Sequence, residues 1–136
     1  MIDKSLKYNI LDLKYSYIAG FFDGEGSIGV HKRGNLARAH LSIHVTNTDR
    51  NPLDFIVDVF GGNIYESHPQ SKKHSTSYRW RLNGLPATCM LEKILPYLIC
   101  KEERAVLGIE SVYSDGKRQV EIADKMLMLN KRGGND

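Results

Sequence analysis

The sequence predicts an α+β fold in which a four-stranded antiparallel sheet carries helices on one face. Three observations lead there. Stretches of strict two-residue alternation come in two pairs, each joined by a polar loop. Stretches with helical spacing precede, separate and follow those pairs. With 136 residues, the chain has room for one hydrophobic core and no second domain, so residues 1–136 are read as one domain.

The first element is an apolar run ending in "IAGFFDGEG", residues 18–26, which fits a helix over about residues 15–25. Gly20 and Gly24 sit at i and i+4, a spacing that lets a second backbone approach closely. Glycine inside a helix costs about 1 kcal/mol relative to alanine, so two of them call for a compensating contact. Ala19 and Gly20 together leave one helical face almost bare. The run then passes through Asp23 and Glu25 directly into a strand.

"SIGVHKR" sets Ser27, Gly29, His31 and Arg33 opposite Ile28, Val30 and Lys32. After the loop "KRGNLA", "RAHLSIHVT" sets Arg38, His40, Ser42 and His44 opposite Ala39, Leu41, Ile43 and Val45. "NPLDFIVDVFGG" reads as a helix with proline near its start and glycine past its end. A second hairpin follows, with "HPQSKKHSTS" as its loop. Its strands are "NIYES", holding Tyr65 and Ser67, and "YRWRLN", with Tyr78, Trp80 and Leu82 inward and Arg79 and Arg81 outward. "LPATCMLEKILPYL", broken at Pro96, begins the helical remainder. "CKEERAVLGIESVYSDG" and "RQVEIADKMLMLNK" continue it over about 101–130, with Ile122, Met126 and Leu129 in helical register.

Charge is distributed unevenly. Residues 29–81 carry eight Lys/Arg (32, 33, 38, 50, 72, 73, 79 and 81) against four acids (49, 54, 58 and 66), hence +4 of a total +3, with −1 elsewhere. All five histidines fall in the same span. A solvated sheet face accounts for that bias, and so does a surface for nucleic acid, since Arg, His, Ser and Asn hydrogen-bond base edges and phosphates. Cys89 and Cys100 lie in apolar contexts without metal-type spacing and read as buried thiols in a reducing compartment. No segment has the length of a membrane span, and the N-terminus lacks a secretory h-region or an Arg-rich presequence. The expected location is the cytoplasm, associated with the nucleoid, or an organelle interior if the gene is organellar, without secretion. Asp23 to Gly34 fails as a calcium loop, because Ile28 stands where glycine is needed and Gly34 where a bidentate carboxylate is needed. The histidines show no zinc-type cluster.

"IAGFFDGEGSI" resembles the signature of the LAGLIDADG homing endonucleases, with Ile18 in place of the first leucine and Glu25 as the second acid. "LSIHVTNTDRNPL", "FGGNIY", "YRWRLNG" and "ILPYLICKEERA" each resemble the matching family segment, in the family's order. One copy of the signature is present, as in the homodimeric branch. The resemblance implies an αββαββα subunit with a saddle-shaped sheet, its signature helix packed on its twin through Ala19, Gly20, Asp23 and Gly24. It implies a site-specific double-strand DNA endonuclease that hydrolyses a long pseudo-palindromic target and leaves short 3′ overhangs.

The same resemblance implies catalytic roles for Glu25, Lys101, Asn47 and Arg50, and a magnesium or manganese site at Glu25 and Gly24. Two Glu25 carboxylates at adjoining helix C-termini repel each other unless cations lie between them, and Glu25 opposes its own helix dipole. Asp23 reads instead as a cap or structural acid at the helix end. DNA contacts are expected from Ser27, Gly29, His31, Arg33, Arg38, His40, Ser42, His44, Tyr65, Ser67, Arg79 and Arg81, with Lys72 and Lys73 on phosphates. The expected partners are double-stranded DNA and a second copy of the chain, with neither a membrane nor a small-molecule cofactor. An RNA-binding intron maturase and a non-cleaving DNA-binding regulator are alternative uses of the same fold.

Overall fold

The computed structural model describes residues 9–34, 38–68 and 76–132. In chain order these form α1 (Ile10–Glu25), β1 (Gly26–Lys32), β2 (Ala39–Asn47), α2 (Asn51–Phe60), β3 (Asn63–Ser67) and β4 (Ser77–Asn83). Then come α3 (Gly84–Ile94), a 3-10 turn (Leu95–Tyr97), α4 (Glu102–Val112) and α5 (Gly116–Arg132). The four strands make one antiparallel sheet in the order β1-β2-β4-β3, so the two hairpins meet along β2 and β4. The expected α+β class, strand number and pairing therefore hold.

α1 begins five residues earlier than the sequence reading placed it. Asn9 caps it, its side-chain oxygen accepting the Asp12 backbone N–H at 2.7 Å, so the run from Ile10 is helical. At the other end the N–H of Gly26 closes on the Phe22 carbonyl while Gly26 itself is already extended, which turns the helix directly into β1. α2 starts with Pro52 in its first turn and stops at Gly61 and Gly62. Both glycines have positive φ, 85° and 101°, a region that side-chain-bearing residues rarely adopt. The turn they make lets the Trp80 indole donate to the Gly61 carbonyl at 2.9 Å.

One face of the sheet holds the core. Ile28, Val30, Leu41, Ile43, Val45, Trp80 and Leu82 point into it, against Ile18 and Phe22 of α1, Met90, Leu91 and Ile94 of α3, and Ile122 and Met126 of α5. α3, α4 and α5 lie on β1 and β2, and α2 lies beside β3 and β4. Trp80 is the largest side chain there and is fully buried, and truncating such a residue to alanine costs about 3–5 kcal/mol. Placing every helix on this face leaves the opposite face open.

The cysteines depart from expectation, since both Cys89 and Cys100 are exposed. Their apolar neighbours suggested burial, but Cys89 falls on the outer side of α3 while Thr88, Met90 and Leu91 turn inward. Cys100 sits in the short connection ahead of α4. No helix among the described residues is long and apolar enough to cross a membrane.

Candidate functional site

Register decides which side chains share the open face. Ser27 stands beside His44, Gly29 beside Ser42 and His31 beside His40. His44 is in turn beside Arg81, Thr46 beside Arg79, and Tyr65 and Ser67 beside Arg79 and Ser77. The outward residues read from alternation thus form one continuous surface. Asn63, Thr46, Ser77 and Asn83 belong to it as well, and the same two-residue alternation would have found them.

Gly29 and Ser42 make the floor of that surface rather than its contact groups. Ser42 is 8% exposed, and the His31 imidazole lies over Gly29 where a Cβ would otherwise stand. Gly29 and Ser42 thus lie beneath the side chains around them on this face. His31 and His40 have ring centroids 6.0 Å apart, and Arg33 Nε donates to His40 Nδ1 at 3.3 Å. Burial lowers the His40 pKa, helped by the charges of Arg33 and His31. His44 is pushed further, from 6.5 to about 4, by burial first and then by Arg79 and Arg81. Both are held toward the neutral form, in which one ring nitrogen donates and the other accepts. Arg79 Nε is buried without a hydrogen-bond partner among the described residues, a donor left over on a face otherwise rich in donors. Lys72 and Lys73 lie outside the described residues.

The second cluster is the junction of α1 and β1. Along α1, Ile10, Leu13, Tyr17, Gly20 and Gly24 form an exposed stripe at helical spacing, and none of the described residues comes within 4 Å of where a Cβ would stand on Gly20 or Gly24. Ala19 is not on this stripe. It is fully buried against the subunit's own core, so the bare face consists of the two glycines flanked by Leu13 and Tyr17.

Glu25, the last residue of α1, is exposed. Asp23 turns the other way. Its carboxylate accepts the backbone N–H groups of Ile99 at 2.8 Å, Cys100 at 3.0 Å and Lys101 at 2.9 Å. Burial pushes this carboxyl up, but those three hydrogen bonds and the Lys101 charge outweigh it and hold the pKa below the usual carboxylate value. Within the subunit, Asp23 thus ties the end of α1 to the 99–101 connection. Lys101 is only 6% exposed, and its Nζ donates to the Asp23 backbone carbonyl at 2.6 Å. Lys101, which caps the start of α4, is thus buried rather than solvated. Its ammonium sits on a last-turn carbonyl of α1, compensating the negative end of the dipole that Glu25 was expected to oppose unaided.

Asn47 ends β2, two residues past the Val45 that pairs with Gly26, and so lies at the same end of the sheet as the α1–β1 junction. Its Oδ1 accepts the Asp49 N–H at 3.5 Å. Arg50 is drawn toward α2, with Nε on Asp54 Oδ1 at 3.1 Å and its guanidinium 5.7 Å from the Tyr78 ring centroid. Of the four residues expected to act together, Glu25 ends α1, Lys101 is bonded to Asp23 two residues before it, Asn47 lies at the same end of the sheet, and Arg50 pairs with Asp54. Among the described residues no three His, Cys, Asp or Glu side chains converge as a metal cluster. A cation at this end would have the Glu25 carboxylate and backbone oxygens as its donors. That suits a hard ion such as magnesium, which keeps several waters and takes one or two protein carboxylates.

Residues 18–99 match the family model described as "LAGLIDADG endonuclease". The chain is similar to the intron-encoded RNA maturase bI4 of Saccharomyces cerevisiae, 35% identical over 70 residues. That match takes in 51% of this chain but 10% of the maturase, so it spans about a tenth of that relative's length. Among solved structures, the fold matches the homing endonuclease I-CvuI in complex with the I-CreI target, with TM-score 0.72 and 24% identity over 89% of this chain and 85% of that one. It also matches the archaeal intron-encoded homing endonuclease I-Vdi141I complexed with DNA, with TM-score 0.69 and 23% identity over 86% and 84%.

Proposed function

The chain belongs to the LAGLIDADG endonuclease family, and from that premise we propose that it is a site-specific double-strand DNA endonuclease working as a homodimer on a long pseudo-palindromic target. The observation that carries this reading is the end of α1. An exposed carboxylate, a lysine seated on the adjoining carbonyl, and two glycines open to a second backbone occur within one and a half helical turns. Two copies crossing at Gly20 and Gly24 bring the two Glu25 carboxylates together beneath a continuous polar face.

In this mechanism Glu25, with the Gly24 backbone, would hold a divalent cation, magnesium or manganese. Such an ion, when bound, supplies an activated water and neutralises charge on the leaving oxygen of an in-line displacement. Lys101 places a fixed positive charge beside the scissile phosphate. Asn47, at the bordering strand end, orients the water that attacks. Ser27, His31, Arg33, Arg38, His40, His44, Tyr65, Ser67, Arg79 and Arg81 contact the DNA from the open face, where a two-stranded ribbon fits the major groove. Lys72 and Lys73 hold phosphates.

The test selects bound sites from a randomised duplex library, then assays the recovered target on a plasmid with magnesium, manganese or EDTA. The expected result is linearisation with either metal and none with EDTA, with end-mapping giving short 3′ overhangs at a near-palindrome. Binding without cleavage in either metal overturns the nuclease reading. The similarity to an RNA maturase favours a second reading, binding of structured intron RNA on the same scaffold. Tight RNA retention together with inert DNA would decide for it.

A further inference from the structure

We infer that Asp23 is a positioning residue, acting on cleavage only through Lys101, which its carboxylate and its carbonyl hold from two sides. The inference rests on the nuclease reading and deepens it. Three consecutive backbone N–H groups, of Ile99, Cys100 and Lys101, converge on one carboxylate. Such a run of amides is an anion cradle that commonly receives a ligand, and here a side chain of the same chain fills it. The cradle fixes the backbone of Lys101. The Asp23 carbonyl then fixes the far end of the same side chain, Nζ at 2.6 Å. A lysine has four rotatable stem bonds and loses much rotamer freedom when ordered, so restraint at both ends removes an entropy cost that cleavage would otherwise meet at each turnover.

The geometry also separates Asp23 from Glu25. Both are acids of the signature, two residues apart, but Asp23 faces the 99–101 connection while Glu25 is exposed. Leu98 is buried just ahead of the connection and the Lys101 carbonyl opens α4 just after it, so what lies between is held through its backbone. Ile99 is 85% exposed and Cys100 is exposed, and neither side chain anchors the backbone in the core. Without the Asp23 carboxylate, the three backbone N–H groups between the 3-10 turn and α4 lose their shared acceptor.

The experiment measures single-turnover cleavage, target affinity and amide exchange in the full chain, as wild type, Asp23→Asn, Asp23→Ala, Lys101→Ala and the double variant Asp23→Ala with Lys101→Ala. Asp23→Ala is expected to slow cleavage about 100-fold, the penalty of a displaced catalytic group, with target affinity within about threefold. Lys101→Ala should be at least as slow, and adding Asp23→Ala to it should cost nothing more, because coupled residues are non-additive. Asp23→Asn, which keeps one acceptor, should recover part of the rate and serves if the alanine variant does not fold. Amides of residues 99–101 should be protected in wild type and Lys101→Ala but fast in Asp23→Ala. Multiplicative losses in the double variant, or 99–101 amides that exchange equally with and without Asp23, overturn the inference. If wild type cuts no DNA, the nuclease reading fails by itself. The exchange data and the Lys101 ammonium resonance, present in wild type and lost in Asp23→Ala, still decide whether Asp23 holds Lys101.

Discussion

At the C-terminal turn of α1, the Asp23 carboxylate takes three backbone N–H groups and Lys101 takes the Asp23 carbonyl. On the open face of the sheet, the buried Nε of Arg79 has no partner among the described residues and His44 is held neutral between two arginines. Both regions are polar, but the first, where α1 meets the connection ahead of α4, satisfies itself within the described residues, and the second, on the strands, leaves a donor over. The difference separates two tasks. Groups that must stand in one geometry are best fixed before substrate arrives, because reorganisation during reaction costs rate. Groups that recognise a partner gain by leaving donors unpaired until it comes, since a wrong partner then leaves them unsatisfied.

Breaking the self-satisfied end should have the largest effect. Glu25→Gln keeps shape and removes charge, so cleavage in magnesium should fall by at least about 1000-fold, roughly 4 kcal/mol of barrier. Gel-shift affinity for target should be unchanged. Near wild-type cutting would place the metal elsewhere. Gly20→Leu comes next. Its Cβ meets none of the described residues within 4 Å, so the fold should be unaffected. Between subunits it should cost about 1–3 kcal/mol of overpacking, seen as a shift toward monomer in sedimentation and a parallel loss of cutting.

Changes on the open face should be smaller and should read differently. Arg79→Ala should cost about 1–3 kcal/mol of target affinity and relax preference at particular base pairs in a randomised selection. An unchanged preference would reduce the face to a general basic patch. The smallest effect concerns His44. Its proton is bound less readily folded, with pKa about 4, than at the ordinary 6.5, so between those values the unfolded chain binds more protons. Stability of the DNA-free protein should therefore fall as pH drops through that window, and His44→Gln should flatten the slope in thermal melts. A slope identical in both proteins would show that His44 is not the group responsible.

The open face was legible because a strand writes its faces into the sequence with a period of two, and Arg38 to Val45 or Tyr78 to Leu82 need no knowledge of neighbours. α1 was legible at its end, through the glycines, but not at its start. The signal there was Asn9 ahead of Ile10 with Asp12 behind it, which the apolar run overshadowed. The clamp on Lys101 had no local signal. It joins Asp23 to residues 99–101 through backbone donors, which carry no residue identity, across most of the chain. Cys100 was misjudged for the same reason, because its neighbours are apolar in sequence while its backbone is spoken for by Asp23. Ala19 shows the converse, one helical residue away from the exposed stripe and fully buried.

The strand order carries a consequence for how the protein acquires its structure. β1 with β2, and β3 with β4, are hairpins whose strands are neighbours in the chain, so each can zip from its own loop. β2 with β4 is different. Asn47 must find Tyr78 and Ser42 must find Asn83, with α2 and β3 lying between. Closing that long segment spends chain entropy before any contact returns it, which makes the seam the slow pairing. His44 and Arg81 face each other across this seam. The middle of the open face is thus absent from either hairpin alone and comes into being only with the last long-range register. Kinetic measurements on conservative substitutions should find native contacts formed early inside each hairpin and late at Val45 and Trp80, which pair across the join.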